Sequence, residues 1–201
     1  MKTGMRTATV TLLLSVSLCA MSYSQPAVDD FSAYLGVGTG LPQTPDYFKD
    51  NWDFGLSGSF AAALGIPGSE GLYAVGKAQY HFFPDGYENQ IAPDFSNQGI
   101  DQKILLLGID GMLVLGEAQR RVQPYFGIGM GVANIAFSNT SVNDSVTVSL
   151  TGETNIYANG FFGIDVDVTP ALGIFGQVGY VWINTDEDAT ALVPIFVGVR
   201  L

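Results

Sequence analysis

The sequence holds one cysteine, Cys19, and one histidine, His81, in 201 residues. So few of either exclude a disulfide framework and a Cys/His metal cluster. Charge is scarce as well. Charged residues make up 13% of the chain, about half of a soluble domain's usual share of roughly 25%. Bases are the scarcer sign: eight Lys and Arg stand against 19 Asp and Glu, a formal net charge of −11. Such a balance excludes nucleic acid as a partner, because phosphate would be repelled. No apolar run reaches the roughly 20 residues that a helix needs to cross a bilayer. The longest, Ala8 to Ala20, has 13 residues, and every later one is broken within a few positions by Gly, Asp, Lys or Gln. If this chain enters a membrane, it enters as strands.

The short apolar run has a recognisable setting. Lys2 and Arg6 precede it and the small residues of "AMSYSQ" follow it, which is the pattern of a secretory signal peptide cleaved after Ser22 or Ser24. Leu18, just before Cys19, is too large for a lipidation site. The expected organisation is therefore a signal peptide over 1–24 and one domain over 25–201. Cleavage would remove the only cysteine and leave six bases against 19 acids, a net charge of −13.

What the chain has in quantity is glycine, 25 residues, and alternation. Eight segments alternate with period two: 31–40, 52–64, 72–83, 102–115, 122–137, 156–168, 171–183 and 191–201. In "FFGIDVDVTPALGIFGQVGYVWI", Phe162, Ile164, Val166 and Val168 stand against Gly163, Asp165 and Asp167. After Thr169-Pro170 the pattern resumes, with Ile174, Val178, Tyr180 and Trp182 against Gly173, Phe175, Gln177 and Gly179. Successive strand side chains point to opposite faces, so this stretch is a hairpin. In the second segment Trp52, Phe54, Leu56 and Phe60 form the apolar face. No amphipathic helix is expected after the signal.

Connections alternate between long and short, the rhythm of an even-stranded up-and-down barrel with long loops at one end and tight turns at the other. The apolar face must be either the inside of a soluble barrel or the lipid side of a membrane one. A soluble barrel would need many charges on its second face. That face carries mainly Gly and Ser, with about one charge per strand, which favours lipid outside. Inward glycines then make room for Tyr34, Tyr125, Phe175 and Phe196 in an interior only wide enough for side chains. Aromatic girdles are expected from Trp52, Tyr80, Phe82, Tyr180 and Trp182 towards the long loops and from Phe31 and Phe126 towards the turns.

"PYFGIGMGVA" (124–133), the 160–183 hairpin and the closing "VPIFVGVRL" resemble the strands of the small bacterial outer-membrane β-barrels, those similar to the barrel of outer membrane protein A and its porin-family relatives. The resemblance covers the whole of 25–201. It implies an all-β fold, an eight-stranded antiparallel up-and-down transmembrane barrel, in the outer membrane. It implies lipid and lipopolysaccharide as surroundings, handling by the barrel assembly machinery, and a monomer. One departure is Leu201, where the family usually ends in an aromatic.

Candidate chemistry is sparse. His81 is followed two residues on by Phe83, so the His-x-Ser pair of outer-membrane lipid A deacylases is missing and a base has nothing to activate. "GVGTG" and "GIGMG" open no helix and are not phosphate loops. No cofactor is expected. Mirror pairing of the third and fourth segments puts Lys77 opposite about Gly108, with Asp110 its diagonal neighbour. A Lys77–Asp110 pair is expected in the lumen, with Arg200 near Asp165 or Asp167 at the turn end, because an unpaired buried charge is costly. The outer loops hold most of the acids. Asp186, Glu187 and Asp188 are the candidate acidic rim, where divalent cations would bind. The expected function is a non-enzymatic structural or surface-interaction barrel with a plugged lumen. Its alternatives are a narrow porin-like channel, a lipid-modifying enzyme and a soluble lipocalin-like binding barrel.

Overall fold

A computed structural model describes residues 31–52, 54–86, 100–115, 121–137, 140–142, 146–148, 152–169, 171–185 and 188–201. The expected signal peptide lies outside them. Eight long strands form a closed barrel: β1 (Phe31–Thr44), β2 (Gly55–Gly65), β3 (Leu72–Gly86), β4 (Ile100–Val114), β5 (Val122–Phe137), β8 (Glu153–Thr169), β9 (Leu172–Ile183) and β10 (Thr190–Arg200). A small ribbon of β6 (Thr140–Val142) and β7 (Val146–Val148) lies between β5 and β8 in the chain. Each barrel strand pairs antiparallel with its neighbours in order, and β1 closes on β10. Closure leaves no open edge, so every ladder can be filled. The seam reaches the last residue: the Ala33 amide donates to the Leu201 carbonyl at 2.9 Å and the Leu201 amide donates back at 2.8 Å.

Tight turns gather at one end. Between β2 and β3 the chain reverses through Gly68 and Gly71, whose φ of +80° and +74° lie where side-chain-bearing residues are strained. The Ile66 amide donates to the Leu72 carbonyl at 2.9 Å to close that turn.

The period-two pattern sorts the side chains as expected through most of the barrel. On β4 the outward positions from Leu105 to Leu115 are leucines, Ile109 and Gly111. Ten residue steps at ~3.4 Å, tilted about 40°, make a band about 25 Å tall, the height of a hydrocarbon belt. Ile109, Ile128, Val37 and Ile156 are among its most exposed members. Tyr80, Tyr180 and Trp182 flank it on one side and Phe31 and Phe126 on the other, all 43–48% exposed.

Two expectations are corrected. A six-residue helix, α1 (Asp46–Asn51), precedes β2. It is too short for a helical period to show in the sequence. Trp52, which follows it, belongs to no girdle: it is 2% exposed, turned inward with Phe48 because β2 starts only at Gly55.

The polarity also inverts along the barrel. Near the long-loop end the inward positions Phe83, Ile104, Leu106, Ile183 and Leu192 are buried and apolar, and pack with Phe48 and Trp52. The outward positions there are Asp101, Lys103, Asn134 and Thr154. This collar is built like a soluble barrel, because beyond the belt its outside meets water.

Candidate functional site

Below the apolar collar the lumen is polar. Lys77 on β3 faces Gly108 across the ladder, and Asp110 pairs with Val75, so the two charges are diagonal neighbours on the inner face. Lys77 Nζ lies 2.9 Å from Asp110 Oδ2, with side chains 6% and 1% exposed. The ammonium also lies 5.8 Å from the centre of the Tyr157 ring and 5.3 Å from that of Phe161, distances at which a ring face attracts a cation. Glycines make the space: a Cβ on Gly129 would collide with the Asp110 carboxylate, and one on Gly108 with the Tyr157 hydroxyl.

At the turn end Arg200 Nε donates to Asp165 Oδ2 at 2.6 Å, and its Nη2 donates to Asp167 Oδ1. One guanidinium thus holds two carboxylates, which suits its planar fork of donors. Between the two charged levels the Tyr125 hydroxyl donates to Gln177 Oε1 at 3.3 Å, and the Tyr34 and Phe175 rings meet edge to face at 5.4 Å.

His81 is fully buried and has a partner that a search along its own strand could not reveal. Ser57 is its cross-strand neighbour on β2, and Ser57 Oγ and His81 Nδ1 are hydrogen-bonded at 2.7 Å. The signal was the register: two inward positions on adjacent strands joined by a six-residue turn. Among the described residues no group bonds to His81 Nε2. The Phe83 and Phe196 rings stand 6.5 and 6.0 Å from the imidazole.

The acidic rim is only partly described. Asp188 is exposed, and its carbonyl accepts from Thr185 Oγ1. Asp186 and Glu187 lie outside the described residues. Among the described residues no cluster of three or more His, Cys, Asp or Glu side chains is placed to hold a metal.

The packing can be tested through its glycines. Gly129→Ala should destabilise the barrel by about 1–3 kcal/mol, because the new methyl has nowhere to go. Gly76→Ala and Gly111→Ala point outward, where a Cβ meets nothing within 4 Å, and should be neutral or stabilising by about 0.5–1 kcal/mol. Urea unfolding in lipid vesicles checks both, and equal effects at inner and outer sites would count against the assigned faces.

No protein-family model matches the sequence, and no curated protein does. Solved structures do. Neisserial surface protein A superposes with a TM-score of 0.59 over 85% of this chain and 96% of its own, at 16% identity. The fold is that of the small outer-membrane barrels. Two further structures match less closely. Ail, the attachment invasion locus protein of Yersinia pestis, gives a TM-score of 0.48 at 12% identity over 86% of this chain and 99% of its own. The N-terminal β-barrel domain of Pseudomonas aeruginosa OprF gives 0.46 at 10% identity over 85% and 97%. At these identities the likeness is one of fold.

Proposed function

We propose that this chain is an integral outer-membrane barrel that passes no solute and acts through its outer loops, as a structural or surface-interaction protein without enzymatic activity. The observation that carries this reading is the side-chain-lined interior behind an apolar belt: a buried Lys77–Asp110 pair below an apolar collar packed with Phe48 and Trp52. The signal peptide would be removed on export, and both termini would face the periplasm, since an even number of strands returns the chain to its starting side. Lipopolysaccharide would surround the barrel, and its acidic rim would keep anionic partners away and draw divalent cations.

Cell fractionation and planar-bilayer recording test this together. The protein should fractionate with outer membranes, migrate differently on gels when unheated, and give no steady conductance. Steady conductance would favour the narrow-channel alternative, and extraction without detergent the soluble binding barrel. Topology has its own check. In the mature chain, free of cysteine, Asp188→Cys should react with an impermeant maleimide on whole cells, whereas Ala171→Cys, in an exposed short turn, should not. The reverse result would invert the barrel.

A further inference from the structure

His81 is the chain's only histidine. Its ring is fully buried, and Ser57 Oγ meets its Nδ1 at 2.7 Å. Its neighbours on β1, β2, β4 and β10 are Gly40, Ser57, Ile104 and Phe196, none of them charged. Lys77, further down the same inner face of β3, is the charged group that acts on it, and has the same sign as an imidazolium. Asp110 is taken up by Lys77. Glu153, near the rim on β8, shares the row of His81 but stands beyond Ile104 and Ile135. Asp46, Lys49 and Asp50 of α1 are exposed. Among the described residues, then, no carboxylate is in contact to receive a proton's charge on this ring. A run of aromatic rings connects the imidazole to α1. It lies nearly parallel to the Phe83 ring at 6.5 Å, Phe83 meets Phe48 edge to face at 5.1 Å, and Phe48 meets Trp52 at 5.7 Å. Phe48 and Trp52, both buried, anchor α1 and the start of the following segment in the mouth of the barrel.

We propose that His81 is an acid-operated latch on α1: the neutral ring supports the Phe83–Phe48–Trp52 stack, and a proton on it releases α1 from the mouth of the barrel. A buried imidazolium without a counter-charge is costly. The collar above it is the nearest way to water, so hydrating the new charge means parting the rings that hold α1 down. The charge change and the element it moves are thus adjacent, as a proton switch requires. The sign follows from the packing. The closed arrangement accepts only the neutral ring, whereas a hydrated one takes up its proton as pH falls through about 6.5. The grip on α1 is therefore complete at neutral pH and is lost below that range. The latch is independent of what the outer loops bind.

The experiment uses untagged Trp182→Phe protein in lipid nanodiscs, where Trp52 is the sole tryptophan. Acrylamide quenching of Trp52 should rise severalfold from about pH 7.5 to about pH 4.5, a range that brackets the titration of an ordinary imidazole. It should return on neutralisation, and the unheated gel mobility of the barrel should persist throughout. His81→Asn, which keeps an amide beside Ser57, and His81→Phe, which fills the space without a proton site, should both leave Trp52 shielded at either pH. The imidazole NMR resonance of this single histidine gives a reading with His81 in place: it should titrate in step with the exposure of Trp52. Constant quenching across the range would overturn the proposal. An equal rise in both His81 variants would assign the change to the carboxylates and overturn it too. So would a rise that comes only with loss of the folded band, or one that occurs while the imidazole stays neutral.

Discussion

Lys77→Met alone should destabilise the barrel by about 3–5 kcal/mol, among the largest losses expected of any single replacement in the lumen. The reason is what it leaves behind. Asp110 has a side chain only 1% exposed, and its charge is met by Lys77 at 2.9 Å. Without the ammonium the carboxylate is left as a buried charge with no counter-charge. Lys77→Met with Asp110→Leu should recover most of the loss, since a buried pair replaced by apolar groups of similar volume is often as stable as the original. Urea unfolding in lipid vesicles, read by tryptophan fluorescence, measures all three proteins. A single-variant loss below about 1 kcal/mol would mean that water reaches the pair and screens it.

Trp52→Ala should cost about 3–5 kcal/mol, as large aromatic truncations in a packed core do. Trp52 is 2% exposed, and the ring of Phe48, itself 1% exposed, meets it at 5.7 Å and the ring of Phe83 at 5.1 Å. Phe48→Ala should cost a similar amount. Trp182→Ala should cost far less, because that ring is 43% exposed on the outer face. The two tryptophans are the only ones in the chain, so each can be watched alone. In Trp52→Phe protein, brominated lipid should quench Trp182 strongly. In Trp182→Phe protein it should leave Trp52 bright. Equal quenching of both would move Trp52 out to the lipid and remove the collar's cap.

Strand phase and pairing were legible because both are nearly local. Period two decided which residues of β8 and β9 share a face, and the hairpin rhythm decided who pairs with whom. Mirror register across one loop was then enough to bring Lys77 towards Asp110. The same reasoning brought Arg200 to Asp165 and Asp167, with the closing strand next to β9. The acidic rim was legible only as composition, because a loop side chain has no periodicity to fix its direction.

Three features were beyond that reasoning. Helix α1 is shorter than two helical turns, so no period could announce it. Trp52 reads as the start of an alternating face, and only the entry of the chain from α1 into β2 turns it inward. The Ser57–His81 hydrogen bond joins residues 24 apart and exists because the β2–β3 register sets them side by side.

The sequence by itself determined the eight strands of the barrel and which face of each meets the lumen through the belt, since alternation is imposed by backbone geometry within each segment. Only the tertiary structure decided where the apolar belt ends and the apolar interior begins, and which side chains meet across the barrel. His81 against Phe196 and Tyr34 against Phe175 both bring together residues that are distant in the chain. Their meeting depends on the tilt and stagger with which β1 closes on β10, and that is a property of the whole ring that no single strand carries.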